Sequence, residues 1–347
     1  MCYDVPVLFT KNKIKMIKNL NPYPIKIFSL RRNKALAESI VGHLDLDRVS
    51  KSMFVEHPDG EILTHQEETV RDCDVFLVAH IDASKGRLND DLIEMLALLY
   101  ALKSGEPHRV NLVLPYFPYA RQDRESKFRE PILAAWMIHQ IISSGADHIT
   151  TLKIHNPSIA GIPKIAEGKY MKNIDTAELL AEIIKENIDV KNVCFVSPDA
   201  GAAKDVVRFA ERLGVPSQVA IAHKERGKDN AVAKINVMGD VSGMDCVIVD
   251  DMVDTAGTVT KVFDALKERG ARDVYVMCTH GIFSPPALEN ISSRPFKKVW
   301  STDSCIIGAG KQFENLQIVS ASELLARVIG NIHNGISVTE LMKNGFH

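Results

Sequence analysis

The stretch from Val247 to Thr258, VIVDDMVDTAGT, limits the possible folds more than any other part of this chain. An apolar run ends in Asp250 and Asp251, and Asp254 follows after two apolar residues. Thr255-Ala256-Gly257-Thr258 then leads into a segment with Val259, Val262, Phe263 and Leu266 at helical spacing. A continuous apolar strand that gives way through small residues to an amphipathic helix belongs to a sheet covered on both faces. Small residues at a helix start let backbone N–H groups point at a phosphate. Thr255 and Thr258 add hydroxyl donors. Asp250 and Asp251 can accept hydrogen bonds from two neighbouring sugar hydroxyls, so the combined chemistry suits a ribose bearing a 5′-phosphate. Acids at a helix start also serve as plain caps. Two on a strand end, a third beyond them and TAGT together exceed what capping needs.

The rest of the chain alternates in the same way. Strand-like runs fall at Lys26 to Leu30, Asp74 to Ala79, Val110 to Leu114, His148 to Ile154, Val193 to Val196, Val219 to Ala222, Lys234 to Val237, Cys246 to Val249 and Val274 to Cys278. Helical patterns lie between them: Asn33 to Val41 with Asn33 as its cap, a helix opened by Asn89 or Asp90, and one with Pro131 in its first turn. Asp175 precedes another, with Leu179, Leu180, Ile183 and Ile184 on one face, and Gly201 to Leu213 is a further helix. At 347 residues the chain fits two domains of ordinary size. Two successions of strands and helices predict two similar α/β domains that divide near Tyr170, with ligands beyond the carboxyl ends of the strands.

Composition narrows the function. A formal net charge of −2 points to neither a nucleic-acid nor a membrane partner, so any polyanion site is local. The cysteines Cys2, Cys73, Cys194, Cys246, Cys278 and Cys305 form no CxxC pair, and three lie in or beside apolar runs, which suits small core residues in a reducing cytoplasm. No apolar stretch reaches the ~20 residues of a membrane span. Before residue 25, Lys11, Lys13, Lys15 and Lys18 interleave with Ile14, Met16 and Ile17, and the stretch reads as neither a secretory signal nor a transit peptide. We expect a poorly ordered extension over 1–24.

The VIVDDMVDTAGT segment resembles the phosphoribosyl-diphosphate signature shared by type I phosphoribosyltransferases and ribose-phosphate pyrophosphokinases. Five further segments resemble the second family. Tyr119-Ala120-Arg121-Gln122-Asp123-Arg124, with Arg129-Glu130-Pro131 after it, is similar to its ATP-binding segment, and the resemblance implies nucleotide contacts from Arg121, Gln122 and Asp123. Pro58-Asp59-Gly60-Glu61 is a hairpin turn in its own right. It is similar to the family's FSDGE, a projecting loop that reaches the ATP site of a neighbouring subunit, and this carries Asp59 and Glu61 over while His57 and Pro58 depart. Lys224-Glu225-Arg226 resembles the family's flexible catalytic loop, with Lys224 and Arg226 as transition-state cations. Leu152-Lys153-Ile154-His155 resembles a segment whose histidine sits at the Mg–ATP site, so His155 is implied as an ATP and metal contact. Lys153 replaces the family aspartate, and strand alternation places it on the face of His155. A lysine there repels a divalent cation or holds an ATP phosphate directly, and the residues do not choose between these. Ser197-Pro198-Asp199-Ala200-Gly201-Ala202 resembles S-P-D-x-G-G, whose aspartate belongs to a second metal and ribose site; Ala202 replaces a glycine.

The resemblance implies an α/β fold with two similar domains of the type I phosphoribosyltransferase kind, parallel sheets flanked by helices. It implies that residues 25–170 form an N-terminal ATP-binding domain, and that residues 171–347 form a C-terminal ribose-5-phosphate-binding domain whose last segment packs back on the first. It also implies that Asp250, Asp251, Asp254, Thr255, Ala256, Gly257 and Thr258 hold ribose 5-phosphate. Mg²⁺ is the implied cofactor, with His155 and Asp199 as its side chains. The implied assembly is a cytoplasmic homo-oligomer of dimers, often a hexamer. Glu125, Lys127 and Phe128 replace residues that bind regulatory phosphate or ADP in many bacterial members, so that regulation is not carried over. Two alternatives stand beside the enzyme: a non-catalytic regulatory paralogue, and a phosphoribosyltransferase.

Overall fold

The computed structural model describes residues 7–8, 21–224 and 235–344. In chain order the elements of the first half are β1 (Val7–Leu8), β2 (Ile25–Ser29), α1 (Ala35–His43), β3 (Ser52–Glu56), β4 (Ile62–Gln66), β5 (Asp74–Val78), α2 (Leu88–Ser104), β6 (Arg109–Val113), α3 (Leu133–Ser143), β7 (His148–Leu152), α4 (Ile162–Glu167) and β8 (Tyr170–Ile174). The second half holds α5 (Ala177–Asn187), β9 (Val193–Ser197), α6 (Ala203–Arg212), β10 (Val219–Lys224), β11 (Ile235–Met238), β12 (Asp245–Val253), α7 (Gly257–Glu268), β13 (Val274–Gly281), α8 (Ala287–Ser292), β14 (Val299–Thr302), β15 (Leu316–Val319), α9 (Ser322–His333) and α10 (Val338–Asn344). The chain separates into two compact units at Asp175/Thr176. Residues 304–306 and 321–344 cluster with the N-terminal unit, and β1 with the C-terminal one.

The N-terminal unit is built on a five-stranded sheet in the order β2-β5-β6-β7-β8, every neighbouring pair parallel. Strand β5 is buried along its whole length because helices cover both faces. On one face Phe28, Val75, Leu77 and Leu112 pack against Met95 and Leu99 of α2 and Met137 and Ile141 of α3. On α1, Leu36, Ala37, Ile40 and Val41 are buried, and the helix packs beside α9. Strands β3 and β4 form a separate antiparallel hairpin. Lys26, Arg48 and the Lys51 amide converge on Glu68 just after it, Lys26 Nζ at 2.7 Å and Lys51 N at 2.8 Å. Burial alone would raise the Glu68 pKa, but these donors hold it at about 2. The sign follows: a lowered pKa contributes stability above the ordinary value near 4.5 and loses it as pH falls toward 2. Glu68→Gln is expected to cost about 1–2 kcal/mol in urea unfolding at neutral pH, with the gap to the parent narrowing as the solution is acidified to about pH 3.

The C-terminal unit carries an eight-stranded sheet, β1-β15-β14-β13-β12-β9-β10-β11. All its pairs are parallel except β10 with β11. Val259, Val262, Phe263 and Leu266 of α7 lie in one core with Cys194, Val196, Cys246, Ile248, Val276 and Cys278. Cys73, Cys194, Cys246, Cys278 and Cys305 are buried, and Cys2 lies outside the described residues. The inward face of α7 is the one that helical spacing predicts.

The helix caps differ from the expected ones. Asn33 does not cap α1: its amide donates to the His80 carbonyl at 2.7 Å and to Asp91 Oδ2 at 3.2 Å, and the cap position falls on Lys34 without a side-chain bond. Neither Asn89 nor Asp90 caps α2, which starts at Leu88; Asn89 instead accepts from the Tyr119 hydroxyl at 2.7 Å. Distant partners compete for these short polar side chains and win. Strand β7 stops at Leu152, and Lys153 takes a φ of +30°. The alternation that was to put Lys153 and His155 on one face is therefore broken.

Candidate active site

In the C-terminal unit the acidic segment belongs to the strand itself. Strand β12 continues to Val253, pairing Asp250 with Cys278 and Met252 with His280 of β13. Its ladder thus carries Asp250 and Asp251 out to the carboxyl edge, where the chain turns into α7. The Asp250 carboxylate accepts from the Asp251 amide at 2.9 Å. Its pKa is raised well above the ordinary carboxylate value, first by burial, then by the charge of Asp251 and a side-chain hydrogen bond to it, with a further contribution from Asp199. That last contribution places the loop after β9 in the same electrostatic neighbourhood. Asp199 Oδ1 accepts from the Ala202 amide at 3.0 Å, so the residue caps the turn into α6 and keeps its other oxygen outside that bond.

The turn into α7 is strained. Ala256 has φ +61° and ψ +6° and is buried. A non-glycine residue in this left-handed region costs about 1–2 kcal/mol. The Ala256 carbonyl accepts from Thr260 N and Thr260 Oγ1, each at 3.1 Å, which opens the helix. The N–H groups ahead of Thr260 belong to the helix's first turn and find no carbonyl within it. The small-residue turn and the carboxylate pair meet at one strand end, as the sequence predicts, and the strain at Ala256 is an addition that the structure reveals.

In the N-terminal unit the loop after β6 and the segment after β7 are tied together. Asn156 Nδ2 donates to Asp123, and Asn156 Oδ1 accepts from Ser158 N at 3.0 Å. Gln122 N closes a turn on the Tyr119 carbonyl at 2.9 Å, with Tyr119 at φ +60°. Arg121, Gln122 and His155 are exposed beside this staple, whereas Asp123 is half-buried and partly committed to it. Asn156 was missed in the sequence, although an asparagine before proline is a turn signal. Asp59 and Glu61 sit on the exposed β3–β4 turn: His57 N donates to the Glu61 carbonyl at 2.8 Å, Glu61 N to Asp59 Oδ1 at 3.0 Å, and Gly60 adopts φ +92°.

Residues 25–145 match the N-terminal domain of ribose phosphate pyrophosphokinase, and 228–343 match the phosphoribosyl synthetase-associated domain. Ribose-phosphate pyrophosphokinase 1 of Listeria monocytogenes is 35% identical over 319 residues, covering 92% of this chain and 97% of its own. The Corynebacterium glutamicum ribose-phosphate pyrophosphokinase is 37% identical over 325 residues, covering 93% and 97%. The chain belongs to the ribose-phosphate pyrophosphokinase family. Ribose-phosphate pyrophosphokinase 3 of Saccharomyces cerevisiae is 35% identical over 321 residues, 92% of this chain and 98% of its own. Among solved structures, phosphoribosylpyrophosphate synthetase from Mycobacterium smegmatis aligns with a TM-score of 0.81 at 32% identity, covering 90% of this chain and 99% of that one.

For a pyrophosphokinase the placement of the remaining motifs matters. Strand β10 pairs Ile221 with Ser197, so Ala222, His223 and Lys224 run past the end of β9 toward the Asp199 side. This brings the backbone of Lys224 to the carboxyl edge of the sheet, while Arg226 lies outside the described residues. Among the described residues no three His, Cys, Asp or Glu side chains converge into a ready-made metal cage. No helix among the described residues is long and apolar enough to cross a membrane.

Proposed function

We propose that this pyrophosphokinase-family chain transfers the β,γ-diphosphate of Mg-ATP to the C1 hydroxyl of ribose 5-phosphate, giving 5-phosphoribosyl 1-diphosphate and AMP. The observation that carries the reading is the union, at the end of β12, of a carboxylate pair with the strained turn into α7. The amides and hydroxyls of Thr255 to Thr258 take the 5-phosphate, with Asp254 beside them. Asp250 and Asp251 accept from the 2- and 3-hydroxyls and so orient the sugar. The C1 hydroxyl then attacks the β-phosphorus in line, and AMP departs. Lys224 and Arg226 supply positive charge around the transferring group, which phosphoryl transfer needs more than covalent help.

ATP is assigned to the N-terminal unit, with Arg121, Gln122, Asp123 and His155 around the stapled loops. Asp59 and Glu61 serve a neighbouring subunit's nucleotide in a homo-oligomer of dimers, with a hexamer as the expected form. His155 and Asp199 are the side chains we assign to Mg²⁺, which neutralises charge on the transferring diphosphate when bound. The setting is cytoplasmic.

Incubation of purified protein with ATP, Mg²⁺ and ribose 5-phosphate should yield AMP and phosphoribosyl diphosphate in equal amounts. Folded protein that makes neither, across a range of divalent metals and phosphate, sinks the enzyme reading and favours a regulatory subunit.

A further inference from the structure

The phosphate turn has a support that the motif does not include. Asn290, on α8, donates from Nδ2 to the Thr255 carbonyl at 2.8 Å. The orientation of the amide is set by chemistry, because a carbonyl only accepts. Helix α8 is itself well anchored. Ala287 and Ile291 are buried, Phe296 just beyond it stacks edge-on with Phe263 of α7 at 4.6 Å, and Arg294 grips Asp264 of α7 through two bonds of 2.7 and 3.1 Å. Asn290 therefore reaches the turn from a platform bolted to the same helix that the turn begins.

The bond bears on the strained residue. A trans peptide carries its carbonyl oxygen and its N–H on opposite sides. Anchoring the Thr255 carbonyl on Asn290 turns the Ala256 N–H away from α8 and holds Ala256 at its positive φ. Left alone, an alanine relaxes to negative φ. The peptide between Thr255 and Ala256 does so by rotating, which exchanges an outward N–H for an outward carbonyl. A carbonyl at the rim of an anion site repels the ligand that the N–H would bind.

We infer that Asn290 is a positioning residue for the 5-phosphate: it touches no substrate, and it keeps the Thr255–Ala256 peptide in the orientation that presents an N–H to the anion. The inference rests on the reading that the turn binds the phosphate of ribose 5-phosphate. It assigns to α8 a share of sugar-phosphate affinity and none of nucleotide affinity.

The test compares the full-length parent with Asn290→Ala and with Asn290→Asp, which keeps the size but loses the donor. Ribose 5-phosphate binding is measured by calorimetry, and KM for each substrate by steady-state assay. Both variants should bind ribose 5-phosphate about tenfold more weakly, the aspartate more so because it adds like charge, while KM for ATP stays within about twofold. Asn290→Gln, which keeps the donor on a longer arm, should recover part of the loss. Unchanged ribose 5-phosphate affinity in the alanine and aspartate variants overturns the inference, as does a parallel rise in both KM values, which marks a general loss of structure. If the parent itself fails to bind ribose 5-phosphate, the phosphate reading falls and this inference falls with it. The parent titration separates that outcome from the others.

Discussion

Asp250→Ala/Asp251→Ala is expected to lose about two to four orders of magnitude in kcat/KM for ribose 5-phosphate. The figure comes from two charge-assisted hydrogen bonds to the sugar diol, each worth about 1.5–3 kcal/mol, at about 1.4 kcal/mol per factor of ten. KM for ATP should change little, since the nucleotide is assigned to the other unit. Stability gives a second, opposite readout. Asp250 is held in a poor environment for a charge, raised first by burial and then by Asp251 and Asp199. Removing both carboxylates removes that repulsion, so the ligand-free double variant should melt no lower than the parent, whereas a structural ion pair would melt lower. A variant that loses activity because it no longer folds would contradict this account. So would one that keeps its ribose 5-phosphate kinetics.

The carboxylate pair was legible because it is local. Strand, acids, small-residue turn and helix are contiguous, and each obeys a short-range rule: apolar continuity, φ tolerance, helical spacing. The strained Ala256 illustrates the limit of such rules. Its identity is visible in the sequence, but its positive φ is not, because the Asn290 bond that supports it comes from 35 residues away. The same limit explains the misread caps. Asn33 has good capping chemistry, yet Asp91 and the His80 carbonyl reach it across 58 and 47 residues. Lys153 was assigned by alternation, which assumes that the strand goes on; Asn173 Oδ1 accepts from the Ile154 amide at 2.8 Å, and the chain leaves the ladder there. Strands β14 and β15 lie outside the predicted set. Their short runs, such as Val299 to Thr302, are buried by neighbours on both sides rather than marked by pattern.

The largest stability effect is expected at Asp74, which no motif marks. It opens β5 with no exposed surface and collects four side-chain bonds: Arg109 Nε and Nη2 at 2.6 Å each, Asn111 Nδ2 at 2.8 Å and His333 Nδ1 at 2.9 Å. His333 ends α9, and Arg109 Nη2 also donates to the Ile332 carbonyl at 2.9 Å. One carboxylate thus fastens the last turn of a late helix to the start of two central strands. Burial alone would raise its pKa, but the hydrogen bonds from Arg109 and His333, the Arg109 charge and Asn111 outweigh that and hold it below the ordinary value. Breaking a buried pair by removing one partner costs about 3–5 kcal/mol, because the other charge stays behind without compensation. For a unit of this size Asp74→Ala should therefore lower the melting temperature by roughly 6–20 °C. The pH dependence has a definite sign. A lowered carboxylate pKa contributes stability above the unfolded value of about 3.9 and loses it as pH falls through the folded value, so the gap between parent and variant should close in acid. Protease digestion locates the effect: cleavage should begin within Ser322–His333 in the variant, at temperatures where the parent resists, while kcat of the protein that remains folded stays near the parental value. A melting point within about 2 °C of the parent would show that the cluster is replaceable packing rather than a buried ionic fastening.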